Sequence, residues 1–266
     1  MEIKDLSGLG AYSPILHELY KDMAQPAARN VGLALGAITS IGLFLHLLTS
    51  WGTERINLRL KDNLEKYADR LKDFPEEEIV QAPPEVAMPI MEKLSYVTNE
   101  ELKELYIELL AKASIKDLND KAHPSFVNII NNLSPDEAKL IKYFNTKKSL
   151  PFVNIHMNKK DNKGGFLLIE ELVILIPDLE LTFNHNLSAY FSNLAGAGLL
   201  EIDSNHWYSD DSYYIPYQRY LEDNINNYEL HYAQLKHNFP NKTYEIKKGM
   251  IRLTMFGKIF FSAILK

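Results

Sequence analysis

Thr98-Asn-Glu-Glu-Leu-Lys-Glu-Leu-Tyr-Ile-Glu-Leu-Leu-Ala-Lys-Ala113 decides the architecture of this chain. Thr98 and Glu101 have the spacing of a capping box, in which hydroxyl and carboxylate satisfy each other's free backbone N–H groups at a helix start. Leu102, Leu105, Tyr106, Leu109, Leu110 and Ala113 then fall on one helical face. Ser134-Pro-Asp-Glu137 repeats the box, with proline at the first helical position, where its missing N–H costs nothing. Leu140, Ile141 and Phe144 supply the apolar face that follows. Between the two, Pro124 opens a short helix carrying Phe126, Ile129, Ile130 and Leu133. The centre of the chain is helical, and the fold class is mainly α.

Upstream, Leu60, Leu64, Tyr67, Leu71 and Phe74 recur at alternating spacings of four and three on a highly charged helix. A coiled-coil seam and a buried helix face explain that pattern equally. Pro75 stops the helix, and the acidic, proline-marked stretch Phe74–Pro84 reads as a linker. The first 23 residues read as a short amphipathic helix interrupted by Gly8 and Gly10. Between Arg29 and Glu54 no residue is charged, and Val31–Trp51 has about the length a helix needs to cross a bilayer's hydrocarbon. Gly32, Gly36 and Ser40 follow at four-residue spacing, which in lipid lets two helix backbones approach closely, with Ile41 at the centre of the run. A buried helical hairpin uses small residues in the same way. Thr39, His46 and Thr49 make the run less apolar than most anchors. Arg55, Arg59, Lys61, Lys66, Arg70 and Lys72 follow it, so a spanning helix would leave the C-terminal body cytoplasmic.

Beyond Lys148 the texture changes. Phe152–Met157 reads as a strand, 158–165 as a turn, and Phe166–Ile176 as helix or strand. Asn186–Ala195 is a helix punctuated by Gly196 and Gly198. Leu199–Ile202 and Ile251–Thr254 read as paired strands, and Phe256–Leu265 as a last helix. Helix, strand, helices and two strands is the order of a winged helix. The expected organisation is a helical region over 1–133 and a small winged-helix-like α+β domain over 134–266, with an insertion at about 204–247. Trp207, Tyr208, Tyr213 and Tyr214 make that insertion rich in the aromatics that anchor protein interfaces. Aromatics packing a long loop onto the body explain it as well.

Composition narrows the chemistry. The 266 residues hold no cysteine, which removes disulfides, thiolate metal sites and cysteine nucleophiles. Net charge is −6, and residues 134–266 carry as many basic as acidic side chains. With no Lys or Arg from Asn186 to Leu200, nucleic acid is not an expected partner. The opening Met1-Glu-Ile-Lys-Asp-Leu lacks the basic region of a signal peptide. Eight scattered histidines form no His-Glu-x-x-His pair, and no phosphate-cradling glycine loop exists. His123-Pro-Ser125 offers a base beside a hydroxyl, yet reads more simply as a helix start. Asn158-Lys-Lys-Asp161 reads as a polar turn, and Asp178-Leu-Glu180 lacks the lysine that would complete a nuclease pair. No catalytic residue, cofactor or metal is expected.

Leu19–Gly36 resembles the opening motif of the abortive infection alpha family, as do Glu100–Ser114, Ala122–Val127 and Leu133–Ala138, in order and spacing from about residue 18 to 146. The remainder resembles the winged-helix-like tail common in that family. The resemblance implies a bacterial protein associated with phage defence, in which an infected cell dies or stops growing. It supplies no reaction. Two roles follow: a non-enzymatic effector acting at or near the inner membrane through residues 31–51, or a sensing module whose tail binds a phage or host protein. Self-association is a further expectation.

Overall fold

The computed structural model describes residues 25–40, 54–159, 164–174, 179–231 and 242–265. The chain divides into two units, one running up to Ala138 and taking back Ile259–Lys266, the other Lys139–Lys258. Mostly helical, it carries a small antiparallel sheet towards its C-terminus.

The first unit holds α1 (Gln25–Ser40), α2 (Glu54–Leu71), α3 (Pro84–Tyr96), α4 (Glu100–Ala113) and α5 (Ser125–Asn131), and the unit boundary falls within α6 (Pro135–Lys147). The stripe on α2 is a buried face: Leu60, Leu64, Tyr67 and Leu71 are 2%, 1%, 0% and 0% exposed. Each such side chain withdrawn from water contributes about 1.5–3 kcal/mol. α4 is enclosed more fully than its periodicity predicts, since every residue from 105 to 111 is buried, Glu108 included. A buried carboxylate persists only with partners. Glu108 has two, Arg70 Nε at 3.2 Å and Lys112 Nζ at 3.1 Å. Lys112 also donates to the carbonyl oxygens of Ser262 and Leu265, closing the last turn of α9 (Met255–Ile264). Tyr67 is tied to Ser114 Oγ at 2.5 Å, and burial pushes its phenol well above the usual range despite that bond.

At α6 the capping box forms as expected. Ser134 Oγ accepts from Glu137 N at 3.3 Å, and Glu137 Oε2 accepts from Ser134 N at 2.6 Å. At α4 the expectation is corrected. The helix begins one residue later, with Asn99 as its cap and Asn99 Oδ1 accepting from Leu102 N at 3.1 Å. Asparagine holds an N-cap at least as well as threonine, so the neighbouring box is displaced. Phe74–Pro84 is no linker either. Glu76–Glu78 form a 3-10 turn, Ile79 bridges Ile115, Val80 N donates to Ser114 O and Lys116 N to Glu78 O. Ile79 and Ala82 are buried, so this strap is a packed part of the unit. α3 starts directly from it at Pro84 and accommodates Pro89.

In the second unit β1 (Ser149–Lys159), β2 (Gly165–Leu172), β3 (Leu200–Asp203) and β4 (Lys242–Leu253) form one antiparallel sheet in the order β2-β1-β4-β3. The ambiguous stretch after 165 is therefore a strand. β4 pairs with β1 from Lys242 to Arg252, whereas β3 reaches only Met250–Leu253. Phe152 lies opposite Gly249 and its ring covers the glycine, so even a methyl at 249 would meet the ring. α7 (Leu187–Gly196) ends in a Schellman motif: Gly198 takes φ 76°, Gly198 N donates to Ala195 O and Leu199 N to Leu194 O. The insertion holds a helix that the sequence reading passes over, α8 (Ile215–His231). Tyr214 and Tyr217 join Val153 and Ile155 in a buried cluster flanked by Leu168, Ile169, Leu172, Leu221 and Ile246.

Candidate functional site

The apolar run is described only through Ser40, where α1 ends; Ile41 and the rest of the run to Trp51 lie outside the described residues. Within α1 the buried stripe is Asn30, Val31, Ala34 and Leu35, while Gly32 and Gly36 are half-buried beside it. A Cβ at Gly36 would come within 3.2 Å of Gln81 Nε2 in the strap, so this glycine serves close packing inside the helical unit. Among the described residues no helix is long and apolar enough to cross a membrane.

The four aromatics of the insertion part into two kinds. Tyr214 is 1% exposed, donates from its hydroxyl to Gly249 O at 3.1 Å and accepts from Tyr208 N at 3.1 Å. Its placement as a contact residue is corrected, because its ring is committed to the core. Tyr208 is half-buried, tied through its hydroxyl to Ser149 Oγ and stacked on Tyr213 with centroids 4.3 Å apart. Trp207 and Tyr213 are 54% and 48% exposed. Asp210 caps the turn through Ser212 N at 2.9 Å, and Lys248 holds Asp211 at 2.6 Å. The two exposed rings therefore stand on a backbone fixed from below, which is how an interface anchor is presented at low entropic cost.

Beside them lies a polar cluster that the sequence reading missed. Asp203, 8% exposed, accepts from Asn205 N at 2.8 Å and Arg252 Nη2 at 3.1 Å, and meets His206 Nδ1 at 2.6 Å. The Asn205 N–H, then His206 and Arg252, hold its carboxyl below the usual range. Arg252 also takes Glu201 at 3.0 Å. The rest of the His206 side chain is mostly exposed, at 62%. The one legible signal was Asp203-Ser-Asn-His206 closing a strand. At the other candidate, His123 Nδ1 stands 2.7 Å from Ser125 Oγ and accepts from Ser125 N at 3.1 Å. The ring nitrogen thus caps the start of α5. Asp178, Lys160 and Asp161 lie outside the described residues.

A cavity of about 200 Å³ opens at the start of α4, lined by Arg59, Asp62, Asn63, Val97, Thr98 and Lys103. Asn63 Nδ2 donates to Leu94 O at 2.6 Å, and Asn63 Oδ1 has no partner among the described residues, a place suited to a bound water. Among the described residues no three His, Asp or Glu side chains are grouped to hold a metal ion.

The family described as abortive infection alpha matches residues 58–264. No curated protein and no solved structure matches the chain. The matched region takes in the helical body from α2 onward and the whole sheet, and begins after the apolar run. The chain belongs to the abortive infection alpha family.

Proposed function

We propose, from membership of that family, that the protein acts in phage defence as a non-enzymatic effector at the inner membrane, delivered there by the apolar run. The observation that carries this reading is the uncharged stretch from Asn30 to Thr53, whose described front half turns an apolar stripe into the helical body. An apolar segment of membrane length, partly stored against protein, has an obvious second environment. Gly32, Gly36 and Ser40 would supply the helix contact there. Ile41→Lys tests it, since one central charge costs about 3 kcal/mol of insertion. A folded Ile41→Lys variant, checked by circular dichroism, is expected to lose both phage protection and recovery in the membrane fraction after infection. Full protection by that variant would overturn the effector reading.

A second reading has its own support. Trp207 and Tyr213 stand exposed on a fixed frame inside the family-matched region, as a surface for a phage or host protein would require. The sheet order β1-β4-β3, with α7 entering β3, also supports a winged-helix-like tail. Its helix α7 carries no Lys or Arg, which favours protein over nucleic acid as the partner.

A further inference from the structure

Residues 29–36 are held to the helical unit by polar ties of an uncommon kind. Asn30, 2% exposed, donates from Nδ2 to Leu71 O at 3.0 Å and to Phe74 O at 3.1 Å, the carbonyls at the exit of α2. Its Oδ1 has no partner among the described residues. One turn on, Ala34 O accepts from Ala82 N at 2.9 Å. At the edge, Arg29 Nε meets Glu76 at 2.8 Å, an exposed pair that water and salt weaken. Three apolar side chains, Val31, Ala34 and Leu35, complete the seat.

The seat has a fastening that does not involve α1. The strap Glu76–Ala82 is fastened on its other side to the end of α4, through Val80 N to Ser114 O and Lys116 N to Glu78 O. Removing α1 breaks none of those bonds. It frees the orphaned Asn30 oxygen to meet water, an advantage that a wholly apolar seat would not offer.

We propose that residues 29–36 form a latch that opens ahead of the rest of the helical unit, releasing α1 while the strap keeps its place. The proposal rests on the effector reading for its purpose, since the latch governs the start of the apolar run, but not for its test. Two backbone amides on one strap report the two sides. Ala82 N–H faces α1, and Val80 N–H faces Ser114. In hydrogen exchange of the purified full chain, Ala82 is expected to exchange at least tenfold faster than Val80. Asn30→Asp, which sets a carboxylate against two carbonyls, should speed Ala82 at least tenfold further and leave Val80 unchanged. Equal exchange at Ala82 and Val80 in the parent overturns the latch, even if the variant fails to fold. So does a folded variant in which both amides accelerate together or neither does. Vesicles of phosphatidylethanolamine and phosphatidylglycerol decide the other question. An open Asn30→Asp chain that binds them no better than the parent leaves the latch standing and removes the membrane reading.

Discussion

Single residues carry much of the fold's specificity, and Gly257 is the sharpest case. Near the start of α9 its backbone lies against Leu199, and an added Cβ would land on the Leu199 carbonyl oxygen. Backbone cannot swing aside as a side chain can, so Gly257→Ala is expected to cost about 2 kcal/mol or more in urea denaturation. Thr254 reinforces the site, its Oγ1 accepting from Gly257 N at 2.8 Å. The opposite sign is expected at Lys148, which closes α6 with φ 67° and donates to Phe144 O at 2.7 Å. A left-handed cap suits glycine, and Lys148→Gly should raise stability by about 0.5–1 kcal/mol. Neither position was legible in the sequence. A lysine ending a helix looks like favourable dipole chemistry, and a glycine in an apolar stretch looks like a break.

At the scale of elements, legibility followed the strength of local chemistry. Ser134 with Glu137 formed the box that its spacing predicts, because proline after Ser134 leaves one register for the helix start. Thr98-Asn99 offered two caps in adjacent registers, and asparagine took the position. Asn99→Ala should therefore cost about 1 kcal/mol, while Thr98→Ala stays within about 0.5 kcal/mol, both by thermal melting. Glu100, next along, is held down to about 2 by hydrogen bonds from Lys103 and then Lys66. A carboxylate depressed by folding adds stability above its ordinary range and loses it as pH falls towards 2. The stability gap between the parent and Glu100→Gln should accordingly be present at pH 7, small because the group is exposed, and vanish near pH 2. The strap and α8 were hidden for different reasons. Prolines and glutamates made 74–84 look like a spacer, although Ile79 and Ala82 were there to be buried. At the start of α8 the signal existed, since Tyr214, Tyr217 and Leu221 recur at three and four residues, the two tyrosines in the core cluster and Leu221 packed against it. The density of Asn and Tyr around them masked it.

For the whole molecule, the candidate surfaces lie at the apolar run and the insertion, and they separate by experiment. Trp207→Ala with Tyr213→Ala removes exposed rings, so stability should move by no more than about 0.5 kcal/mol. If the sensing reading holds, that double variant loses phage protection at unchanged melting temperature; full protection removes that reading. The sequence indicated the aromatic surface without its orientation, because burial of Tyr214 beside exposure of Tyr213 is settled by which ring meets the sheet. One further property follows from the unequal reach of β3 and β1 along β4. From Lys242 to Gly249 the second flank of β4 meets no strand among the described residues. A strand flank that lacks a partner strand can let copies of a chain stack edge to edge into fibrils. Three lysines against one glutamate in that stretch, with Lys248 paired to Asp211, leave each copy a net positive edge in any such encounter. Shelf life in solution should then depend on ionic strength: near 1 M salt, where screening acts within about 3 Å, light scattering should rise with time, and dilution into low salt should prevent it.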